Sequence, residues 1–161
     1  MEFQGKLIVF SGPSGSGKTS IVKALLKDYP QTFGFSISAT TRRKRKGEED
    51  GKDYYFISEE AFRKKNSHKH LLFDIDVEGG LNIKKLYGDK VRTIFVMPPD
   101  IQTLEERLKK RKTESEESLK KRIDKAKAEI EKSKYFDCIL LNNDLQTTIE
   151  KAKSIVLAFI K

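Results

Sequence analysis

The sequence predicts an α/β fold in which a parallel sheet carries helices on both faces. Short apolar runs typical of fully buried strands occur at residues 6–11, 71–74, 93–97 and 138–141. Helical patterns separate or follow these runs, and strands that alternate with helices imply a parallel sheet with right-handed crossovers. Ligands bind such sheets beyond the carboxyl ends of the strands, so the residues after each strand are the first candidates for a site.

Five helices are predicted from apolar residues at three- and four-residue spacing. The first starts at Lys18 and ends before Pro30, because proline does not continue a helix. The other four are predicted at residues 81–87, 101–111, 116–132 and 145–160.

Composition bounds the class of protein. A length of 161 residues is enough for one compact domain. The single cysteine, Cys138, cannot form an internal disulfide, and the N-terminus lacks the apolar stretch of a signal peptide. With a mean hydropathy of −0.60 and no long apolar window, we expect a cytoplasmic domain that does not insert into a membrane.

The formal charge of +9 raises the question of a nucleic-acid partner. Much of the excess lies at residues 42–46 and 107–112, with no interleaved aromatic residues that could stack on bases. Polyphosphate ligands attract the same cations. The sequence therefore favours a solvated or nucleotide-facing role for these charges, and we expect no nucleic-acid partner.

A glycine-rich loop between the first predicted strand and helix fits the phosphate-loop (P-loop) pattern G-x-x-x-x-G-K-[ST] without a mismatch. Its backbone amides can surround an anion, and the next helix adds its positive N-terminal end. Lys18 would neutralise the β- and γ-phosphates and the Thr19 hydroxyl would ligate Mg²⁺, so we expect ATP to bind here. The alternative, a turn with an incidental lysine, is disfavoured by the full match. The loop residues are Gly12, Pro13, Ser14, Gly15, Ser16, Gly17, Lys18 and Thr19.

Two acids follow the second apolar run. Asp74 ends that run, as does the acid that helps hold the metal in other phosphate-loop proteins, so it is a possible Mg²⁺ ligand. Asp76 would share the orientation of Asp74 if the strand continued, and both acids would then lie near the rim of the loop. The alternative is that they cap the turn after the strand.

Three arginines form a second set of candidates. Arg107 and Arg111 are four residues apart on a predicted helix and share a face, while Arg122 lies on the next helix. On a mobile pair of helices they could close over the triphosphate and stabilise the charge that develops there. The alternative is a solvated helix face rich in glutamate.

Four stretches resemble the guanylate kinase family, and together they span nearly the whole chain. They are residues 11–19 (SGPSGSGKT), 33–55 (FGFSISATTRRKRKGEEDGKDYY), 74–80 (DIDVEGG), and 111–122 followed by the Asn-Asn-Asp run at 142–144. The second is the most specific, because its Ser-x-Ser-x-Thr-Thr-Arg run looks like the GMP-binding segment of that family. The resemblance implies a P-loop NTPase-type sheet and transfer of the γ-phosphoryl group of ATP to GMP, with Mg²⁺.

The resemblance also implies roles for single residues on the acceptor side. Asp74 and Asp76 match the acidic pair near the metal and the acceptor. Guanidinium forks with hydroxyl groups make a good site for a phosphate dianion. The residues that look like those holding the GMP phosphate are Ser38, Arg42, Arg45 and Tyr54.

On the donor side, the resemblance makes the three arginines lid residues and places Asn142 near the adenine. The residues implied to take part in catalysis are Lys18, Arg42, Arg107, Arg111 and Arg122. We expect one domain over residues 1–161, with a core at 1–32 and 71–161 and a lid at about 107–125. Residues 33–70 would form the GMP-binding subdomain, and the chain would be a monomer or a homodimer.

One stretch departs from the family. Members normally carry a substantial extra segment before the strand that ends here at Asp74, with a glutamate and a Tyr-Gly-Ser/Thr motif that read the guanine. Only residues 63–70 fill this place. A natural deletion, an engineered shortening and omission of a mobile segment from the sequence are the explanations, and omission is favoured because closing segments are often disordered.

Other functions stay open from the sequence. The main alternatives are a non-catalytic guanylate-kinase-like interaction module and a kinase of another nucleoside monophosphate. The intact loop argues against the module, because such modules generally have degraded phosphate loops. His68 and His70 could form a metal pair by spacing, but two ligands without a third are a weak signal.

Overall fold

The computed structural model describes residues 4–36, 69–110 and 115–161. The strands are β1 (Leu7–Ser11), β2 (Phe33–Ser36), β3 (His70–Asp74), β4 (Val91–Met97) and β5 (Cys138–Leu141). The helices are α1 (Lys18–Asp28), α2 (Val77–Tyr87), α3 (Ile101–Lys109), α4 (Glu116–Glu131) and α5 (Leu145–Ile160). Short 3₁₀ turns at Gly88–Lys90 and Lys132–Tyr135 follow α2 and α4.

The five strands form one parallel sheet in the order β2-β3-β1-β4-β5, which confirms the predicted α/β fold. In the middle, β1 pairs Phe10 with Asp74 of β3 and Ser11 with Phe95 of β4. All five residues of β1 are buried, as expected for a central strand covered on both faces. Because the strands are parallel, their carboxyl ends meet at one edge, and the residues after β1, β3, β4 and β5 come together there.

Helices cover both faces of the sheet. On one face α1 and α5 pack against the side chains of β1 and β4. On the other face α2 packs against β1 and β4, and Val77 contacts the cluster around Phe95. The α3 and α4 helices pack against each other in a small separate cluster of Leu104, Leu108 and Ala126. The sheet edge that holds the candidate site is therefore supported from both sides.

Four of the five described helices begin after a residue whose side chain accepts a hydrogen bond from the backbone three residues later. These N-caps are Asp76, Asp100, Ser115 and Asp144. The Asp76 cap explains why α2 begins at Val77, earlier than the predicted residue 81: Gly79 and Gly80 obscure the helical pattern, because glycine is a poor helix former. The exception is α1, which has no side-chain cap.

The sequence does not predict β2. Its residues, Phe-Gly-Phe-Ser, include a glycine and a serine and so form no apolar run. Pairing with β3 makes it a strand: Phe33 lies beside His70 and Ser36 beside Phe73, and both Phe33 and Ser36 are buried. Residues 33–36, predicted to belong to the GMP-binding subdomain, are thus part of the main sheet.

Asp137, just before β5, joins this strand to β4 and α2. Its Oδ2 accepts hydrogen bonds from the Thr93 backbone N–H at 2.8 Å, from Thr93 Oγ1 at 3.0 Å and from Lys84 Nζ at 3.0 Å. Burial works to raise the pKa of the Asp137 carboxyl, but the hydrogen bonds from Thr93 and Lys84 outweigh it and hold the pKa below its ordinary value.

We expect Asp137→Ala to lower the free energy of unfolding by about 2 kcal/mol, because the Thr93 N–H loses its acceptor. The depressed folded-state pKa means that the carboxylate stabilises the fold above the ordinary pKa of aspartate, and that this contribution is lost as the pH falls through the folded value. Urea unfolding at several pH values measures this contribution. The difference in free energy of unfolding between wild type and variant should shrink below about pH 4. Asp124→Ala, on the exposed side of α4, is the control. A difference that stays constant with pH contradicts the prediction.

Candidate functional site

The phosphate loop lies between the end of β1 and the start of α1. Gly12, Gly15 and Gly17 have positive φ angles of 149°, 86° and 100°, which residues with a Cβ rarely adopt. A side chain at Gly12 would also collide with the Val96 carbonyl, and one at Gly17 would collide with the Asn142 amide. The glycines of the sequence pattern are thus required both by the backbone conformation and by close neighbours.

The first turn of α1 suits an anion. Its N-cap residue, Gly17, contributes no side-chain hydrogen bond, and this turn contains no acidic residue. The N–H groups at a helix start have no intrahelical acceptor, and the helix dipole adds partial positive charge there. Lys18 is the first residue of α1 and brings a full positive charge to the same place. Backbone donors and a cation are therefore available to a phosphate group.

Ser16 is fully buried inside the loop. Its Oγ has no hydrogen-bond partner among the described residues. Buried hydroxyl groups in proteins are nearly always paired, because an unpaired one loses its hydrogen bonds to water without replacement. An oxygen of a bound phosphate would supply the missing partner, so this orphaned group fits the triphosphate that the sequence predicts.

Thr19 and Asp74 meet at the mouth of the loop, where Thr19 Oγ1 donates to Asp74 Oδ2 at 2.6 Å. The two atoms in contact are oxygens, which are the ligands that Mg²⁺ prefers. Their separation is close to the distance of about 3 Å between adjacent ligands of an octahedral ion. No group of three or more His, Cys, Asp or Glu side chains in the described part of the chain could hold a metal. Mg²⁺ commonly takes one or two protein ligands and completes its shell with phosphate oxygens and water, so this pair fits it.

Asp76 is placed differently from Asp74. Because β3 ends at Asp74, the strand does not continue and the two acids do not share a strand face. Asp76 Oδ1 accepts a hydrogen bond from the Gly79 N–H at 2.7 Å, and its carbonyl accepts one from Ser11 Oγ at 3.1 Å. For Asp76 the geometry supports the alternative reading, in which the acid caps the turn after the strand.

Arg107 lies behind the loop. Its Nη1 donates to the Gly15 carbonyl at 3.5 Å and its Nη2 donates to the Asn142 carbonyl at 3.4 Å, both long hydrogen bonds. Arg122 is on the exposed side of α4, and Arg111 lies outside the described residues. The structure thus places Arg107 at the loop, and a shared lid role of the three arginines stays a prediction.

Asn142 follows β5 and lies beneath the loop with 3% of its surface exposed. Its Nδ2 donates to the Ser16 carbonyl at 2.7 Å, and its backbone N–H donates to the Met97 carbonyl at 2.8 Å. The Asn142 side chain therefore contacts the loop backbone. The adenine contact implied by the family resemblance stays a prediction.

No motif singles out Glu129, yet α4 carries it close to the loop. Its side chain is 14% exposed and its Oε1 is 3.8 Å from Lys125 Nζ. Burial raises the pKa of the Glu129 carboxyl; the positive charges of Lys125 and Lys18 oppose this rise, and Asp76 adds to it. A carboxylate therefore acts electrostatically on the loop lysine. The only sequence signal for it is its place in the helical pattern of α4.

Five residues to which the resemblance gives roles lie outside the described ranges, so those roles stay predictions. They are Ser38, Arg42, Arg45, Tyr54 and Arg111. His68, which the sequence pairs with His70 as a weak candidate for a metal site, also lies outside these ranges.

The other histidine of the pair, His70, lies at the amino end of β3, which is the end of the strand opposite the loop. Its Nδ1 accepts a hydrogen bond from the Lys6 backbone N–H at 3.0 Å. Burial lowers the pKa of His70, and the positive charge of Lys6 lowers it further. His70 thus helps to fix the start of the sheet.

The fold and the phosphate loop together define a class of protein. A parallel sheet with the phosphate loop between its central strand and the next helix is the arrangement of P-loop nucleotide-binding proteins. An acid at the end of the neighbouring strand, paired with the loop threonine, is the second element of that class.

Comparison with known proteins identifies the family within this class. The family model "Guanylate kinase" matches residues 4–73 and 63–158. Guanylate kinase of Porphyromonas gingivalis is 38% identical over 184 aligned positions, covering 96% of this chain and 98% of that protein. That of Chlorobium chlorochromatii is 37% identical, covering 99% and 98%. A crystal structure of guanylate kinase from Anaplasma phagocytophilum matches with a TM-score of 0.66 at 26% identity, covering 99% of this chain and 88% of that one. The chain belongs to the guanylate kinase family.

The comparisons also locate a difference from the relatives. The Porphyromonas alignment has 184 positions although this chain has 161 residues, so the relative carries residues that this chain lacks. The two matches to the family model overlap at residues 63–73, which is the junction that the sequence analysis found short. The comparisons thus agree that this stretch is short relative to the family, while its origin as a deletion, a shortening or an omitted segment stays a prediction.

Proposed function

We propose that the chain is a guanylate kinase that transfers the γ-phosphoryl group of ATP to GMP, giving ADP and GDP, with Mg²⁺ as cofactor. The observation that carries the proposal is an intact phosphate loop in a member of this family. Its glycines with positive φ angles, its lysine and the Thr19–Asp74 pair suit a triphosphate. A non-catalytic interaction module would need none of these features.

On the donor side, this chain's residues bind and orient the triphosphate. The amides of the loop and of the first turn of α1 hold phosphate oxygens, and Lys18 balances the charge that builds up as the γ-phosphoryl group leaves. Thr19 and Asp74 would hold Mg²⁺ through their oxygens. When bound, the ion would neutralise negative charge on the phosphate groups.

On the acceptor side, the proposal rests on the resemblance. Arg42, Arg45, Ser38 and Tyr54 would hold the GMP phosphate, so that its oxygen lies in line with the γ-phosphorus. Asp74 would serve both sides, and its position at the end of β3 beside the loop threonine supports this role. Asp76 uses one carboxylate oxygen as a helix cap, which leaves the other oxygen for the acceptor.

Closure over the triphosphate would involve α3 and α4. These helices pack against each other through Leu104, Leu108 and Ala126. Arg107 already lies at the loop, and closure of the pair would bring Arg111 and Arg122 to the phosphates beside it and exclude water. The division into a core, a lid at about 107–125 and a GMP-binding segment within 33–70 is part of this proposal.

The cellular location, the partners and the oligomeric state are also proposed. No helix in the described ranges is both long and apolar enough to cross a membrane. We propose that the chain works in the cytoplasm on the small molecules ATP and GMP, as a monomer or a homodimer and without a nucleic-acid partner.

A coupled assay of ADP formation with GMP, AMP, CMP and UMP as acceptors tests the proposal. We expect GMP to give the highest kcat/KM and the activity to require Mg²⁺. The comparison of acceptors matters because the resemblance assigns the reading of guanine to a segment that residues 63–70 do not contain, and unmade polar contacts reduce selectivity. Faster turnover of another monophosphate would identify a different kinase, and ATP binding without turnover of any acceptor would identify an interaction module.

A further inference from the structure

The underside of the phosphate loop is held by an asparagine. Asn142 Nδ2 donates to the Ser16 carbonyl at 2.7 Å, and the two residues are 126 positions apart in the sequence. The side chain is buried, and its Oδ1 has no partner among the described residues. The opposite orientation of the amide would set Oδ1 against the Ser16 carbonyl, so only the donating orientation is favourable.

Asn142 is itself fixed by the core. Its backbone N–H donates to the Met97 carbonyl at the end of β4, at 2.8 Å. Its own carbonyl accepts from Arg107 Nη2 at 3.4 Å, while Nη1 of the same guanidinium donates to the Gly15 carbonyl at 3.5 Å. The loop carbonyls of residues 15 and 16 are therefore both bound from below by groups anchored outside the loop.

Gly17 makes this contact possible. A Cβ at this position would overlap Asn142 Nδ2, so the amide occupies the space that a side chain would fill. Glycine at position 17 thus allows the Asn142 side chain to approach the loop closely, and it also adopts a positive φ of 100°. A larger residue at position 17 would displace the asparagine.

The hydrogen bond also orients a phosphate donor. In a trans peptide the C=O of Ser16 and the N–H of Gly17 point in opposite directions. Holding the Ser16 carbonyl toward Asn142 therefore directs the Gly17 N–H away from Asn142. A peptide that is fixed in advance does not have to reorient when phosphate binds, which favours affinity.

We propose that Asn142 is a positioning residue of the donor site, which acts on the triphosphate through the backbone of the phosphate loop and does not need the adenine. This inference rests on the proposed function, because it assumes that the loop binds a triphosphate. It predicts that the effect of Asn142 is independent of the base.

Binding of Mg²⁺-ATP and of Mg²⁺-tripolyphosphate, measured by calorimetry on the full chain, tests the proposal. We expect Asn142→Ala to weaken both ligands by the same factor of about 10, because each loses the same pre-oriented peptide. Asn142→Asp, of equal size, should weaken both further, since its carboxylate would face the Ser16 carbonyl. Asn143→Ala, at the exposed neighbouring position, should bind both like wild type.

Affinity for GMP alone serves as the folding control, because its binding groups lie elsewhere in the proposal. Loss of ATP affinity with unchanged tripolyphosphate affinity would overturn the inference in favour of an adenine contact. Variants that bind both ligands like wild type would overturn it too. Failure of the wild type itself to bind either ligand would instead refute the proposed donor site.

Discussion

Lys18→Ala is expected to lower kcat for GMP phosphorylation by about 10³-fold, because the transferring phosphoryl group would lose its nearest loop cation in a site where charge stabilisation supplies most of the catalysis. The loop backbone remains, so ATP should still bind, with reduced affinity. The KM for GMP should change little. Steady-state kinetics with each substrate varied in turn separate these effects.

Lys23→Ala is the matched control. This lysine lies on the same helix, α1, but is exposed on its surface. It carries the same charge and the same helix propensity, so the substitution reproduces the change in net charge without touching the loop. Equal kcat values for the Lys18 and Lys23 variants would remove Lys18 from the proposed mechanism.

Asp74→Asn is expected to lower kcat at physiological Mg²⁺ by about 10²-fold and to raise the Mg²⁺ concentration needed for half-maximal activity. Asparagine keeps the size of the side chain and an oxygen that can accept from Thr19, whose bond to Asp74 Oδ2 is 2.6 Å long. What it removes is the negative charge that attracts a divalent cation. Activity measured over a Mg²⁺ titration distinguishes weak metal binding from a damaged fold.

Asp89→Asn is the companion control, since Asp89 is an exposed aspartate in the turn before β4. It should show the wild-type Mg²⁺ dependence. If Asp74→Asn loses activity that no Mg²⁺ concentration restores, while the half-maximal concentration is unchanged, then Asp74 acts on the acceptor and not on the metal.

The phosphate loop and the strands beside it could be predicted because each is encoded by neighbouring residues in the sequence. The loop from Gly12 to Thr19 is contiguous in sequence, and the apolar runs that precede it and Asp74 mark the two strands directly. The α5 helix and β5 have the predicted bounds for the same reason. In each of these elements, the pattern of apolar residues within the element is enough to predict it.

Other parts depend on contacts between distant residues and leave no periodic signal. β2 is a strand only because Phe33–Ser36 pairs with β3, and α2 starts early only because Asp76 caps it. The bond from Asn142 to Ser16 joins residues on different elements, and the type of residue alone cannot show which carbonyl it reaches. The nearness of Glu129 to the loop lysine arises in the same way.

The short stretch before β3 and the phosphate loop lie at opposite ends of this strand. The shortened junction joins this strand at His70, while Asp74 lies at its other end, four residue steps or about 13 Å away. Residues gained or lost before His70 leave the pairing of β3 with β1 and β2 intact, so the machinery for ATP keeps its register. A change in chain length before His70 can therefore alter the predicted acceptor side while the phosphate loop and Asp74 keep their positions in the sheet.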